Sequence, residues 1–187
     1  SAVCVTGLVV VDTGLHFSTF GQLVIITLIQ IGGLGWMTMA TLLAFLTGKR
    51  ITLRERLLMQ ESFNQFTLSG LVRLARNILL FTLAFEFVGG LVLSLRLASL
   101  LPWGKALYYG FWHAVSAFCN SGFDLFGEVY KTDFVSMTNF TEDITVIMVV
   151  SILVILGGLG FPVLSELFRL GKKESGRRQF SLHTRII

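Results

Sequence analysis

Two short, uncharged segments of this sequence have the residue types that can bind a metal cation through the peptide backbone. Ser1–Gly7 reads SAVCVTG and Ser116–Gly122 reads SAFCNSG, so serine, alanine, cysteine and glycine recur at a constant offset of 115 residues. Backbone carbonyl oxygens can replace the hydration shell of a cation, and glycine permits the torsions that turn successive carbonyls towards one axis. The alternative is that the glycines only allow a tight turn. The predicted ion-binding residues are Val5, Thr6 and Gly7 in the first segment and Asn120, Ser121 and Gly122 in the second.

Two ionisable side chains lie within apolar stretches. Glu86 is the one charged residue of Asn77–Leu95, and His113 lies in the uncharged stretch Ala106–Phe123. A charge at the centre of a bilayer costs about 2.5–3.5 kcal/mol on insertion scales, so Glu86 must be paired, protonated or in contact with water. We interpret Glu86 and His113 as an intramembrane polar site, in which His113 is one candidate partner of Glu86. Structural pairing and a role along an ion path are the two alternatives for this site.

The composition indicates a membrane protein. Hydrophobic residues make up 53% of the 187 residues and charged residues 14%, against about 45–50% and about 25% in average soluble domains. The composition therefore fits poorly with a soluble globular domain, a disordered chain or a nucleic-acid-binding protein. We expect the chain to lie in a lipid bilayer. The sequence has no HExxH or GxSxG motif and no metal-ligand spacing of its histidines. We therefore predict that the chain is not an enzyme and has no cofactor, with a transported ion as its only metal.

Three apolar stretches are long enough to cross a membrane, which takes about 20 residues. Phe17–Gly48 and Ile144–Ser165 carry no formal charge, and Asn77–Leu95 carries only Glu86. Ala106–Phe123 is also uncharged, but it is more polar. Length alone allows this fourth stretch to cross as well, so the charges of the connecting loops must decide.

The loop charges favour three crossings. Residues 48–76 carry six basic residues against two acidic ones, and the tail from residue 171 carries five against one. Residues 124–143 carry five acidic residues against Lys131. The positive-inside rule places the loop 49–76 and the tail in the cytoplasm and the loop 124–143 outside. A fourth crossing would break the rule twice. We therefore predict three transmembrane helices and one re-entrant segment, with a helix over Lys105–Ala117 and a return through Phe118–Phe123.

Six acidic residues are predicted to flank the outer mouth of the ion path. Such a cluster can raise the local concentration of cations, and the alternative is an ordinary solvated loop. The six residues are Asp12, Asp124, Glu128, Asp133, Glu142 and Asp143.

A second sequence match indicates an internal duplication. Gly32–Gly35 and Gly157–Gly160 both read GGLG, at an offset of 125 residues. Two matches in the same order are typical of a repeated unit. The glycines are predicted at helix centres, where they allow close packing or a hinge. The fold class is thus an all-α membrane protein built from helix–re-entrant pore loop–helix repeats.

The predicted organisation of the chain follows from this unit. Residues 1–48 are the filter loop and second helix of a first repeat, and residues 49–73 are a cytoplasmic linker with an amphipathic helix. Residues 74–170 are a complete second repeat of helix, pore helix, filter and helix. Residues 171–187 are a basic lead-in to a third repeat.

The chain resembles the Trk/Ktr/HKT superfamily of potassium transporters, most of all the Ktr-type ion-translocating subunits of bacteria. The match rests on the ordered motifs SAVCVTGLVVVDTG, IQIGGLGWMT, GKRITLRERLLMQES, FWHAVSAFCNSGFDLFG and ILGGLGFP. The resemblance implies four repeats around one path, with Gly7 and Gly122 as the first and second filter glycines. In some plant relatives a serine at the first glycine accompanies sodium selectivity, so Gly7 favours potassium. The chain resembles about half of such a transporter.

The resemblance also implies a function and partners. We expect a multi-pass protein of the bacterial inner membrane that passes potassium down its electrochemical gradient. The resemblance further implies a homodimer in the membrane and a cytosolic nucleotide-binding ring as regulatory subunit. The alternatives are a sodium-preferring or unselective cation pathway and, in a different class, a non-conducting membrane scaffold.

Overall fold

The computed structural model of the chain describes residues 1–35 and 71–159, which contain helices and no strand. The predicted all-α class is confirmed for these residues. Most of the predicted linker, residues 49–73, lies outside the described residues. The basic lead-in, residues 171–187, lies entirely outside them. The helices are α1 (Thr13–His16), α2 (Thr19–Leu34), α3 (Leu71–Leu97), α4 (Trp103–Phe118), α5 (Phe126–Tyr130), a 3₁₀ helix (Thr138–Phe140) and α6 (Ile144–Gly158).

Helix α2 is shorter than the sequence predicts. Ser18 caps its first turn, and Gly35 ends it with φ at +79° and a backbone N–H bonded to the carbonyl of Gly32. A positive φ is incompatible with an α-helix, so the prediction of one helix over Phe17–Gly48 is wrong at Gly35. The first GGLG motif therefore lies at a helix end and not at a helix centre. Gly157 and Gly158 likewise occupy the last turn of α6.

One helix of the described part is long and apolar enough to cross a membrane, namely Arg76–Leu97 within α3. The span predicted over Asn77–Leu95 is therefore confirmed as a helix of sufficient length. Helices α2 and α6 are apolar but shorter, with 16 and 15 residues, which correspond to about 24 and about 22 Å. Within the described residues, the helices of the two other predicted spans are thus shorter than the about 20 residues that a crossing takes.

Helix α4 positions the second of the two candidate ion-binding segments. Most of the described residues, Ser1–Gly35 and Thr82–Gly158, form one compact unit. Within it, α4 packs against both α2 and α6. Helix α4 contains the helix predicted over Lys105–Ala117 and ends at Phe118. The chain after α4 therefore starts where the glycines of α2 and α6 approach Phe118 and Cys119.

A buried amide fixes α4 against α2. The side chain of Gln22 is 3% exposed, and its Oε1 accepts a hydrogen bond of 3.0 Å from the hydroxyl of Tyr108. The indole N–H of Trp112 donates to the backbone carbonyl of Gln22 at 3.4 Å. The Gln22 amide nitrogen donates to the carbonyl of Phe17 at 3.2 Å. Buried polar groups that are all satisfied favour one register, so these bonds specify how the two helices meet.

One carboxylate ties the N-terminal segment to the connection between α4 and α6. Asp12 is 3% exposed, and its Oδ1 accepts from the backbone N–H groups of Gly14 and Leu15 at 2.9 and 3.0 Å. Its Oδ2 accepts from the backbone N–H of Phe134 at 2.9 Å. A Cβ atom on Gly127 would overlap this carboxylate. Asp12 therefore caps α1 and anchors a loop that is distant in sequence.

Removal of the Asp12 carboxylate is expected to destabilise the protein. We expect Asp12→Ala to lower the free energy of unfolding by about 2–4 kcal/mol, because it removes an N-cap and leaves buried N–H donors unpaired. Asp12→Asn keeps one acceptor oxygen and should cost about half as much. Thermal unfolding of the detergent-solubilised protein measures both values. Asp133→Asn is the matched control, because the Asp133 side chain is 58% exposed; an equal loss in this variant would contradict the assignment.

Candidate cation-binding loops

Loop 2, which we define as Ser116–Gly122, is held by bonds between its own residues. The backbone N–H of Asn120 donates to the carbonyl of Ala117 at 3.0 Å, and that of Ser121 donates to the carbonyl of Ser116 at 2.9 Å. The hydroxyl groups of Ser116 and Ser121 lie 2.8 Å apart. Both serines are buried. These bonds fold the end of α4 into a compact turn, and Gly122 follows directly after the last residue of that turn.

Loop 1, which we define as Ser1–Gly7, has the same bonds exactly 115 residues earlier. The backbone N–H of Val5 donates to the carbonyl of Ala2, and that of Thr6 donates to the carbonyl of Ser1, both at 3.2 Å. The hydroxyl groups of Ser1 and Thr6 lie 3.1 Å apart. The sequence match between the two loops is thus accompanied by a match in hydrogen bonding.

The backbone torsions of the two loops also agree. Val5 and Asn120 have φ of +53° and +57°, and Gly7 and Gly122 have φ of +68° and +73°. The residue between each pair is not among those with positive φ. The sign of φ therefore alternates in the same way along both loops. A positive φ is uncommon for asparagine and a steric outlier for a β-branched valine, so loop 1 is strained at Val5.

The two loops touch at their glycines. A Cβ atom on Gly7 would press against the backbone carbonyl oxygen of Ser121. A Cβ atom on Gly122 would lie 3.7 Å from the Cα of Gly7, which is an ordinary contact distance. The structure therefore brings the predicted residues of the first and second segments together at one place.

Each loop is also supported by a glycine at the end of a following helix. A Cβ atom on Gly32 of α2 would overlap the carbonyl oxygen of Val3, and one on Gly157 of α6 would overlap the carbonyl oxygen of Phe118. Val3 and Phe118 are again 115 residues apart. Gly32 and Gly157 of the two GGLG motifs thus serve close packing against the loop backbone.

Glu86 has a partner that the sequence did not indicate. Its side chain is 4% exposed, and its Oε2 accepts a hydrogen bond of 3.2 Å from the side-chain amide of Gln30 on α2. Its Oε1 and the hydroxyl of Thr82 have no hydrogen-bond partner among the described residues. The carboxyl group therefore joins α3 to α2.

His113 is not the partner of Glu86 in this structure. Its Nδ1 lies 2.6 Å from the carbonyl oxygen of Tyr109, and its Nε2 accepts from the backbone N–H of Leu125 at 3.2 Å. Because Nδ1 faces a carbonyl oxygen and Nε2 faces an N–H group, the imidazole is neutral and carries its proton on Nδ1. The ring stacks on Phe126 with centroids 4.1 Å apart. His113 thus holds the chain beyond loop 2, and the suggested pairing with Glu86 is corrected.

The predicted outer acidic residues are mostly engaged with the protein. Glu128 accepts from the Tyr109 hydroxyl at 2.6 Å and from the Lys105 ammonium at 2.9 Å; these bonds hold the pKa of Glu128 below its ordinary value. Burial raises the pKa of the Asp124 carboxyl. Asp143 pairs with Arg96 at 2.6 Å. Asp124 also accepts from the backbone N–H of Phe126 at 3.1 Å, and Asp133 lies 4.0 Å from His16. Together with buried Asp12, five of the six residues thus have contacts within the protein, which weakens the interpretation of the cluster as a free cation funnel.

Sequence reasoning missed three residues that position the site. Gln22 and Gln30 are the only amides of the apolar stretch Phe17–Gly48, and this isolation was the signal that could have marked them. Gly127 makes room for the Asp12 carboxylate, and no local pattern indicates such a contact. No group of three or more His, Cys, Asp or Glu residues that could hold a metal ion occurs in the described ranges.

Comparison with known proteins identifies the family of the chain. Residues 1–185 match the TrkH family, described as cation transport proteins. The chain belongs to that family. Since cations are transported across membranes, membership in the TrkH family accounts for the apolar composition, and the resemblance seen in the sequence motifs is confirmed.

Several relatives of the chain are potassium uptake proteins by name. The chain is 43% identical over its whole length to the Ktr system potassium uptake protein B of Bacillus subtilis and 38% identical to the protein of the same name of Vibrio alginolyticus. It is 37% identical to the potassium/sodium uptake protein NtpJ of Enterococcus hirae. The chain spans 40%, 39% and 39% of the lengths of these three relatives.

Proposed function

We propose that this chain forms part of a potassium uptake path across the bacterial cell membrane. In this proposal, Val5–Gly7 and Asn120–Gly122 supply backbone carbonyl oxygens that replace water around the ion. The observation that carries the proposal is the pair of loops with matching hydrogen bonds and similar φ angles, in contact at Gly7 and Gly122. No covalent chemistry is needed for this function.

The arrangement around the loops supports a re-entrant position for α4. Its 16 residues extend over about 24 Å, and the chain turns back directly after it. Non-helical backbone at membrane depth is tolerated where it lines a path or is buried in protein. We propose that residues 124–143 lie outside the cell, and that the loop 49–76 and the tail face the cytoplasm.

Potassium is the proposed ion, and sodium is the second candidate. Two relatives at 43% and 38% identity are named as potassium uptake proteins, and a third at 37% is named for potassium and sodium. We propose that the protein works as a membrane homodimer with a cytosolic nucleotide-binding ring. The word "system" in the relatives' names supports a multi-component assembly.

Uptake by the natural full-length protein tests the function. In a host that lacks its own potassium uptake, we expect growth at low potassium and faster uptake of rubidium than of sodium. Faster sodium uptake would favour the sodium pathway. A protein that is folded in the membrane but gives no flux of either ion would favour the scaffold.

Glu86 is proposed to hold α3 against α2 and to take no part in the ion path. The support is its burial and its bond to Gln30. We expect Glu86→Gln to keep rubidium uptake, because the amide oxygen still accepts the bond. Gln30→Leu should lower the free energy of unfolding by about 1–3 kcal/mol, since it leaves a buried carboxyl group without its donor. Loss of uptake in folded Glu86→Gln would place Glu86 on the ion path.

A further inference from the structure

The side chain of Asn120 links loop 2 to the last turn of α6. When the amide is oriented so that both of its atoms are satisfied, its nitrogen donates to the carbonyl oxygen of Val154 at 3.2 Å and its oxygen accepts from the backbone N–H of Gly158 at 3.3 Å. The opposite orientation of the amide would place its oxygen against an acceptor and its nitrogen against a donor. One loop residue thus holds both ends of a helical turn.

The two backbone groups that bond to Asn120, the carbonyl of Val154 and the N–H of Gly158, lie one helical turn apart. In a regular α-helix the N–H of residue 158 would donate to the carbonyl of residue 154. Gly158 is the last residue of α6, so Val154 and Gly158 have this helical pairing as well as the bonds to the Asn120 amide. The amide therefore adds a contact from loop 2 to two backbone groups that belong to the same helical turn.

Loop 1 lacks this link. The residue equivalent to Asn120 is Val5, which has a similar φ but an apolar side chain that cannot bond to α2. Asparagine also tolerates a positive φ better than valine does. The two loops therefore share a backbone geometry, and only loop 2 is tied to the end of its helix by a side chain.

We propose that Asn120 is a positioning residue that couples the geometry of loop 2 to the end of α6. Gly157 and Gly158 make this turn of α6 easy to deform, because glycine lowers the cost of departing from helical torsions. A movement of the α6 end is transmitted through the amide to the backbone of Asn120, and hence to the proposed ion-binding carbonyls. This inference rests on the proposed function of loop 2, which it extends to the side chain.

The test uses the natural full-length protein with Asn120→Val and Asn120→Asp. The valine variant carries the residue of loop 1 and makes neither bond. The aspartate variant can still accept from Gly158 but cannot donate to Val154. Asn139→Val is the matched control, because Asn139 is exposed on the 3₁₀ helix between α5 and α6. The readouts are the ratio of rubidium to sodium uptake, the KM for rubidium and the thermal unfolding midpoint.

We expect the uptake ratio to fall about fivefold in Asn120→Asp, the factor that loss of one ordinary hydrogen bond produces, and further in Asn120→Val. The control should keep the wild-type ratio and KM. If Asn120→Val does not fold, the aspartate variant carries the test alone. A wild-type ratio and KM in the folded variants would overturn the inference, even where substitutions of Gly7 or Gly122 impair uptake as the proposed function requires. Absence of selective uptake in the wild type would instead contradict the proposed function itself.

Discussion

Gly7→Ala is expected to reduce rubidium uptake by about tenfold, and Gly122→Ala by a smaller factor. Both glycines have positive φ, and an L-residue in that conformation loses about 1–2 kcal/mol, where 1.4 kcal/mol corresponds to a factor of ten. At Gly7 the new Cβ atom would also press against the Ser121 carbonyl oxygen, whereas at Gly122 it finds an ordinary contact distance. The order of the two effects therefore follows from the structure.

Uptake must be compared at equal amounts of folded protein, which size-exclusion chromatography in detergent measures. Gly104→Ala is the matched control. It lies in the first turn of α4, and a Cβ atom there meets no heavy atom within 4 Å. This substitution should leave uptake unchanged. If Gly122→Ala impaired uptake more than Gly7→Ala, this would contradict the claim that the contact of Gly7 with the Ser121 carbonyl makes Gly7 the more sensitive position.

Gly157→Ala is expected to destabilise the protein by about 1–3 kcal/mol, the range typical of overpacking in a closely packed interior. The added methyl group would overlap the carbonyl oxygen of Phe118, and backbone cannot move aside as a flexible side chain can. Either the end of α6 or the start of loop 2 must shift. Gly32→Ala should act in the same way through the carbonyl of Val3.

Thermal unfolding in detergent measures this loss, again with Gly104→Ala as the control. Since alanine has the higher helix propensity, the control should have an unchanged or slightly higher midpoint. An unchanged midpoint in both Gly32→Ala and Gly157→Ala would contradict the close approach of helix and loop. A loss in only one of them would mean that the two loops are supported differently.

Much of the helical structure could be predicted from the distribution of charges. The uncharged stretches Phe17–Gly48 and Ile144–Ser165 contain α2 and α6. The stretches Asn77–Leu95 and Ala106–Phe123 overlap most of α3 and α4, because apolar runs of this length gain most from burial along a helix. The agreement between the loops was anticipated by the recurrence of serine, alanine, cysteine and glycine. Local spacing was informative here because the bonds within each loop join residues no more than five positions apart.

The contacts between distant parts of the chain could not be predicted in this way. Gln30 and Glu86 are 56 positions apart, and Asp12 and Phe134 are 122 apart. Such pairs depend on how helices pack, which a single sequence does not specify. The end of α2 at Gly35 was missed for a related reason. A glycine in an apolar stretch is compatible with both a helix interior and a left-handed cap.

The same limit applies to the ionisable residues. The sequence placed Glu86 and His113 in apolar surroundings but could not assign their partners. The structure gives Glu86 an amide on α2 and gives His113 two backbone groups near loop 2. Likewise, acidic residues of one loop look alike in sequence, although Asp12 is 3% exposed and the Asp133 side chain 58% exposed.

The central claim is that the backbone of the two loops selects the ion, and the ratio of potassium to sodium permeability tests it most directly. The measurement uses proteoliposomes that contain the natural full-length protein, with Gly7→Ala, Gly122→Ala and the control Gly104→Ala. We predict that the ratio falls in both loop variants and keeps the wild-type value in the control. An unchanged ratio in folded loop variants, whatever their rate of uptake, would contradict the claim and reduce the glycines to turn-forming residues.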